Sequence, residues 1–222
     1  MQQIELVLFD LDGTLVDTAT DVHISLNIAL EKMGLPTISR QIAKKAIGPG
    51  PQEFIKHILL DRVDLEEEFR QIFRSIYWER CADNAEPFDG IVELLQELKD
   101  KNIKAAVATN KSHQGTDAVL KALELEFYFD VILSRDQVEH PKPAPDMVLE
   151  VCQLLNISPR QSMFIGDTDN DILASNAAGV KSCLALWGYS DHFNELKKIS
   201  TYAVEHPLQV LDIIESEIFQ HA

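Results

Sequence analysis

The chain is poor in cysteine and in positive charge. Its three cysteines, Cys81, Cys152 and Cys183, lie far apart, with no CxxC pair and no zinc-finger spacing. That excludes a disulfide framework and a structural zinc site, and leaves reduced thiols in a cytoplasmic protein as the expectation. Lys and Arg number 20 against 36 Asp and Glu, for a net charge of −16. Such a balance excludes nucleic acid or an anionic membrane as a non-specific partner. An anionic substrate must then meet a locally positive site, built from a cation and a few basic groups. No apolar run approaches the roughly 20 residues needed to span a bilayer. The N-terminus has no basic region and meets Glu5 and Asp10 at once, so no leader is expected. Internal repeats and low-complexity segments are also missing. What is present is 45% hydrophobic and 25% charged, the composition of a soluble globular protein. A chain of 222 residues can hold a core domain plus a small one.

One run stands out from this ordinary background. The apolar stretch Ile4 to Phe9 ends in Asp10-Leu11-Asp12-Gly13-Thr14. Two carboxylates two residues apart, where a buried strand stops, cost free energy unless a cation or a reaction needs them. The glycine and threonine suit a tight turn whose backbone N–H groups can face an anion, which makes Gly13 a candidate substrate contact.

Elsewhere short apolar runs alternate with amphipathic helices. Leu6–Phe9, Ile103–Thr109, Val131–Leu133 and Met163–Ile165 read as strands, with Ser182–Leu186 and Tyr202–Val204 as weaker ones. Helices are expected over Gly90–Lys101, Gln114–Leu123, Pro145–Leu155, Asp169–Ala178 and Pro207–Phe219. The alternation predicts an α/β fold with a doubly wound, Rossmann-like parallel sheet. From about Asp17 to Ala85 only helical patterns appear: Thr20–Met33, Pro51–Leu60 and Asp64–Cys81. That is an inserted α-helical cap (17–85) in a catalytic core (1–16 and 86–222). Its two connections, near Val16-Asp17 and Glu86-Pro87-Phe88, are expected side by side, a geometry that permits hinge closure. Trp78, Trp187 and the leucine stripes are expected in the core.

In open α/β sheets, sites form at the carboxyl ends of the strands. Four such ends carry polar residues: Asp10 and Asp12; Thr109-Asn110-Lys111; Lys142, downstream of the third strand; and Gly166-Asp167 followed by Asp171. These residues fit one reaction. Asp10 can attack phosphorus to form an aspartyl phosphate. Asp12 can protonate the leaving alkoxide and then activate water. Carboxylates of Asp10 and Asp167 can hold Mg²⁺. Lys142, the Thr109 hydroxyl and nearby groups, Asn110 among them, can hold phosphoryl oxygens. Asp171 falls four residues after Asp167, on the same face if the helix has begun, and is given a role behind the metal, orienting its waters or Lys142.

The set Asp10-Leu11-Asp12-Gly13-Thr14-Leu15-Val16-Asp17-Thr18, Thr109, Lys142 and Gly166-Asp167 with Asp171 resembles the haloacid dehalogenase-like hydrolase superfamily. The likeness runs from about residue 4 to residue 190. It implies Asp10 as nucleophile, Asp12 as acid/base, and the backbone carbonyl of Asp12 as a further Mg²⁺ ligand. The insertion is similar to the helical cap of one subclass. Within it, Ala108-Thr109-Asn110-Lys111, Gly48-Pro49-Gly50 and Lys142-Pro143-Ala144-Pro145 resemble the phosphoglycolate phosphatases, although Ala185-Leu186-Trp187-Gly188-Tyr189-Ser190 stands where those enzymes often carry a glycine-rich stretch.

Several alternatives stay open. A dehalogenase has no need of Asp12 or a metal. A phosphonatase would use a cap lysine, such as Lys44 or Lys45, in a Schiff base, and Asp12 speaks against it. β-Phosphoglucomutase, nucleotidase, pyrophosphatase and sugar-phosphate phosphatase activities share the motifs, and a non-catalytic binding module is the remaining class. Arg40, Lys44, Lys45 and Gly48 to Pro51 in the cap, with Lys111 and His113 from the core, are the candidates that set the substrate. A small phosphorylated metabolite is the expected partner, and the protein is expected as a monomer or homodimer.

Overall fold

The computed structural model describes residues 3–47, 58–59 and 62–219. Strand β1 (Leu6–Phe9) sits inside a parallel six-stranded sheet with β4 (Lys104–Thr109), β5 (Val131–Ser134), β6 (Ser162–Gly166), β7 (Lys181–Ala185) and β8 (Tyr202–Val204), in the order β5-β4-β1-β6-β7-β8. β1 is Leu-Val-Leu-Phe, apolar at every position and completely buried, as a strand covered on both faces must be. Its side chains alternate between two cores. Leu6 and Leu8 join Ala106, Ala108 and Phe164 on one face, and Val7 and Phe9 join Ala105, Val107, Met163 and Ile165 on the other.

Each face has its own helices. α4 (Ile91–Asp100), α5 (His113–Ala122) and α9 (Gln209–Phe219) cover the Val7 face through Ile91, Leu94, Leu98, Val119, Leu120, Val210 and Ile214. α6 (Asp146–Leu155) and α7 (Asp169–Ala178) cover the Leu6 face through Met147, Val151, Ala174 and Ala178. A short α8 (Phe193–Leu196) precedes β8. The chain winds from β1 outward through β4 to β5, then returns to the other side of β1 at β6. β1 therefore lies at the point where the winding reverses, and ligands bind open α/β sheets at the carboxyl end of that point.

The helices between β1 and β4 form the inserted cap. α1 (Ala19–Lys32) packs against α3 (Glu66–Arg80) through Val22, Leu26, Ala29 and Leu30 facing Phe69 and Ile76, with Ile58 and Leu59 buried in the same core. α2 (Arg40–Ala46), capped by the Ser39 hydroxyl, has no counterpart in the sequence reading. The expected helix over Pro51–Leu60, but for residues 58–59, and the Gly48-Pro49-Gly50 motif lie outside the described residues. The cap's two connections pair as two-residue antiparallel strands, β2 (Val16–Asp17) and β3 (Glu86–Pro87), which the sequence reading missed as strands although it set the two segments side by side. Trp78, expected in the core, is 37% exposed on α3.

Candidate active site

Parallel register assembles the site. Phe9 is aligned with Val107 on β4 and with Ile165 on β6, so Asp10, Thr109 and Asp167 all emerge at one edge of the sheet. The Asp10 backbone N–H donates to the Ile165 carbonyl at 2.9 Å, which extends the ladder by one residue and fixes where the carboxylate begins. Lys142 arrives from the loop after β5. Its Nζ donates to Asp10 Oδ1 at 2.9 Å and to Asp171 Oδ1 at 2.6 Å, with all three side chains buried.

Asp171 reaches this point by a route different from the expected one. Helix α7 begins at Asp169, after Asp167, so the two aspartates do not share a helical face. Asp171 is instead the third residue of α7, and its Oδ2 accepts from the Thr168 backbone N–H (2.9 Å) and hydroxyl (2.7 Å). This capping box turns its other oxygen toward Lys142.

Asp167 is completely buried and held from both sides. Oδ1 accepts from the Thr14 hydroxyl at 3.1 Å, and Oδ2 accepts from the Tyr189 N–H at 2.7 Å. Two glycines make room for it. A Cβ on Gly13, which sits at φ +89°, would lie 2.5 Å from Asp167 Oδ2, and one on Gly188 would lie 2.2 Å from Asp167 Cβ. The expectation that Gly13 lends its N–H to an anion is corrected here: that N–H donates to the Val16 carbonyl at 3.0 Å, and what the glycine contributes is space.

Carboxylate oxygens of Asp10, Asp167 and Asp171 all lie within 4.8 Å of one another. Three buried carboxylates against the single ammonium of Lys142 leave negative charge unbalanced. Burial, the largest influence, pushes the Asp10 carboxyl up to about 6 against the opposing pull of Lys142. Burial followed by Asp171 and Asp10 holds Asp167 well above its ordinary range. Burial pulls the Lys142 ammonium down, but Asp10 and Asp171 outweigh it and the net shift is upward. An all-oxygen cluster with excess negative charge fits a hard divalent cation.

Asp12 is set apart from that cluster. Its carboxylate accepts from the Thr18 hydroxyl at 2.6 Å and from Lys111 Nζ at 2.9 and 3.1 Å. Lys111 also donates to the Tyr77 hydroxyl of cap helix α3 at 2.5 Å. Thr109 is buried at the end of β4, and its Oγ1 accepts from the Lys111 N–H at 3.2 Å, leaving its own proton to donate. Asn110, expected at the substrate, donates through Nδ2 to the Lys142 carbonyl at 2.8 Å, so it braces the lysine's backbone.

The model of the haloacid dehalogenase-like hydrolases matches residues 7–185. The chain belongs to that family. It is similar to a phosphoglycolate phosphatase of Aquifex aeolicus, 34% identical over 96% of this chain and 98% of the relative. It is also similar to an N-acetylmuramic acid 6-phosphate phosphatase of Pseudomonas aeruginosa, 30% identical over 96% of each chain. A solved haloacid dehalogenase-like hydrolase from Streptococcus pneumoniae superposes with a TM-score of 0.84 at 28% identity, over 96% of this chain and 99% of that one.

The cap cations expected at the substrate are engaged at the seam between cap and core. Arg40 lies 3.6 Å from Asp17, Lys44 stands over the Tyr189 ring at 4.8 Å, and Lys45 pairs with Asp191 at 2.5 Å. His113 begins α5, and its N–H donates to Asp136 at 2.7 Å. Two residues escaped the sequence reading. Tyr189 binds Asp167 through its backbone and Asp17 through its hydroxyl (2.6 Å), joining the metal-type cluster to the cap connection. Tyr77 closes an i, i+4 aromatic series, Phe69-Phe73-Tyr77, whose rings stack at 6.1 and 5.4 Å. That periodicity was the available signal.

Proposed function

We propose that the protein is a Mg²⁺-dependent phosphatase that hydrolyses a small phosphomonoester through an aspartyl phosphate on Asp10, with 2-phosphoglycolate as substrate. The observation that carries the reading is the buried convergence of Asp10, Lys142, Asp171 and Asp167, with Asp12 two residues beyond the nucleophile. The names of the relatives supply the substrate. Residues 1–16 and 86–222 act as the core, and 17–85 as the cap that covers the site.

Asp10 attacks phosphorus, and the bond to the ester oxygen breaks. Asp12, steadied by Thr18, gives that oxygen a proton and then takes one from the water that hydrolyses the acyl phosphate. Lys142 and the Thr109 hydroxyl face the phosphoryl oxygens. The carboxylates of Asp10 and Asp167, with the Asp12 carbonyl, would hold the cation, and Asp171 supports it from behind while fixing Lys142. Mg²⁺ there supplies positive charge between an anionic nucleophile and an anionic phosphate. The free, buried thiols Cys81, Cys152 and Cys183 support a cytoplasmic setting, and no described helix is long and apolar enough to cross a membrane.

A second substrate, N-acetylmuramic acid 6-phosphate, is favoured by the relatives of that name, which match 96% of the chain. A kinetic screen with Mg²⁺ across 2-phosphoglycolate, that sugar phosphate, nucleoside monophosphates and pyrophosphate tests the reading. The expected result is a specificity constant for 2-phosphoglycolate about 100-fold above the others, equivalent to about 2.7 kcal/mol of transition-state binding. No turnover of any of them, nor of an aryl phosphate, would leave a binding module.

A further inference from the structure

Among the described residues, two buried ammonium groups stand at the carboxyl edge of the sheet, and they are engaged differently. Lys142 lies between two carboxylates, Asp10 and Asp171. Lys111 meets one carboxylate, Asp12, and one neutral hydroxyl, Tyr77. An ammonium carries three donors. In Lys111 the three are met by the two Asp12 oxygens and the Tyr77 hydroxyl, so an acceptor that enters the site takes the donor that Asp12 releases when one of its oxygens turns to the leaving group. The Lys111 side chain is 8% exposed, so that acceptor comes from within the site and meets the charge away from bulk water, where the attraction is stronger.

We infer that Lys111, buttressed by Tyr77, is the specificity-determining seat for a carboxylate carried one carbon from the ester oxygen of the substrate. This rests on the reading above, in which Asp12 acts at the leaving oxygen. Asp12 then serves two partners, the leaving oxygen and Lys111. Two hydrogen bonds of about 2.8 Å meeting at one carboxylate put the ammonium about 5 Å from the leaving oxygen. A carboxylate on the adjacent carbon reaches across that gap to hydrogen-bonding distance. A hydroxyl in the same place reaches it without charge, and a carboxylate several bonds further out overshoots.

The seat is built from both parts of the fold. Lys111 follows β4 of the core, whereas Tyr77 comes from cap helix α3, held in place by its stack on Phe73. Its ring lies 4.7 Å from Nζ as well, so the cation is covered on the cap side. The cap's own cations Arg40, Lys44 and Lys45 are drawn to Asp17, Tyr189 and Asp191, which leaves Lys111 as the buried cation beside Asp12 among the described residues. The seat is therefore complete only where cap helix α3 meets the core.

The test compares kcat/KM for 2-phosphoglycolate and 2-hydroxyethyl phosphate, with saturating Mg²⁺, in the full-length protein and in Lys111→Met, Lys111→Arg and Tyr77→Phe. Both substrates release an alkoxide of similar basicity, so any disturbance of Asp12 or the metal cancels in the ratio. The wild-type ratio is expected at about 100, Lys111→Met at under about 5, Lys111→Arg between them, and Tyr77→Phe a few-fold below wild type, mostly through KM. An unchanged ratio in Lys111→Met overturns the seat and leaves the phosphatase reading standing. A wild-type ratio near one, with both esters turned over, overturns the seat and the 2-phosphoglycolate assignment together. Should the variant fail to fold, the wild-type enzyme decides: phosphonoacetate should inhibit aryl phosphate hydrolysis at least about tenfold more tightly than ethylphosphonate, and equal inhibition overturns the seat. Absence of all phosphatase activity would remove the underlying reading itself.

Discussion

The ammonium of Lys142 stands 2.9 Å from Oδ1 of Asp10, across 132 residues of chain. Because the lysine also binds Asp171, one side chain keeps two buried carboxylates from repelling each other. Removing one partner of a buried ion pair typically costs about 3–5 kcal/mol. Lys142→Ala is therefore expected to lose activity and to unfold at markedly lower urea in the absence of divalent cation, with Mg²⁺ returning part of that stability. Urea titrations with Mg²⁺ and with EDTA check this. A variant as stable and as active as wild type would make Lys142 a bystander.

Asp10→Asn separates function from stability. An amide is a poor nucleophile, so turnover is expected to fall by about a thousandfold or more. Near-normal turnover would refute the covalent route. The fold should respond in the opposite sense. Burial holds the Asp10 carboxyl near 6, so its charge at pH 7.5 strains the folded state, by something on the order of 2–3 kcal/mol. The neutral amide relieves that strain, and the melting temperature without Mg²⁺ is expected to rise.

How much of this was legible in the sequence follows from the range of each interaction. β1 and β8 match the strands expected from apolar runs; burial on both faces demands the run in β1, whereas β8, at the sheet edge, leaves Ala203 exposed and offers a shorter one. The four polar strand ends were legible because a parallel sheet must bring them to one edge. The start of α7 at Asp169 was legible, and it excludes the face that Asp171 would have shared with Asp167; what spacing does not reveal is the capping box with Thr168 that turns the Asp171 carboxylate to Lys142. The Gly13 amide was misjudged because its partner, Val16, depends on how the turn closes. Tyr189 and Tyr77 were not legible as site residues. Their hydroxyls act on Asp17 and Lys111; the spacing Phe69-Phe73-Tyr77 marks an aromatic helix face without announcing the lysine, and nothing around Tyr189 announces Asp17.

The acidic cluster should couple proton and cation binding. The Asp10 carboxyl, held up at about 6, takes its proton more tightly folded than unfolded, where a carboxyl titrates near about 3.9. Its contribution to stability is therefore full below about pH 4 and is lost as pH rises through about 6. The raised carboxyl of Asp167 acts in the same direction. A divalent cation replaces those protons, so the gain in melting temperature from Mg²⁺ is expected to grow from about 1 °C at pH 5 to several degrees at pH 7.5. Equal gains at both pH values would place the cation away from these carboxylates.

Asp12→Ala removes the proposed proton donor. An alkoxide leaves poorly without a proton, whereas an aryl oxide leaves far more readily. The variant is therefore expected to lose about 10³-fold on alkyl phosphates and at least tenfold less on an aryl phosphate. Equal losses for the two classes would count against the acid role and point to a defect in binding.

Tyr189 tests whether the cap connection is coupled to the metal-type cluster. Its hydroxyl donates to Asp17 at 2.6 Å and accepts from the N–H groups of Thr18 (2.8 Å) and Ala19 (3.2 Å), at the start of the cap's first helix. Its backbone N–H meanwhile binds Asp167. Tyr189→Phe keeps the ring and the Asp167 contact but strands the Thr18 N–H, while Ala19 and Asp17 keep each other at 3.1 Å, at a cost of about 1–3 kcal/mol. Because the loss falls on the connection and leaves the carboxylates untouched, the variant should bind Mg²⁺ as wild type does while the KM for phosphomonoesters rises several-fold. Titration of Mg²⁺-dependent activity at saturating substrate reads the first quantity and initial-rate kinetics the second. A weakened Mg²⁺ midpoint with an unchanged KM would show that the tyrosine serves the cluster and not the cap.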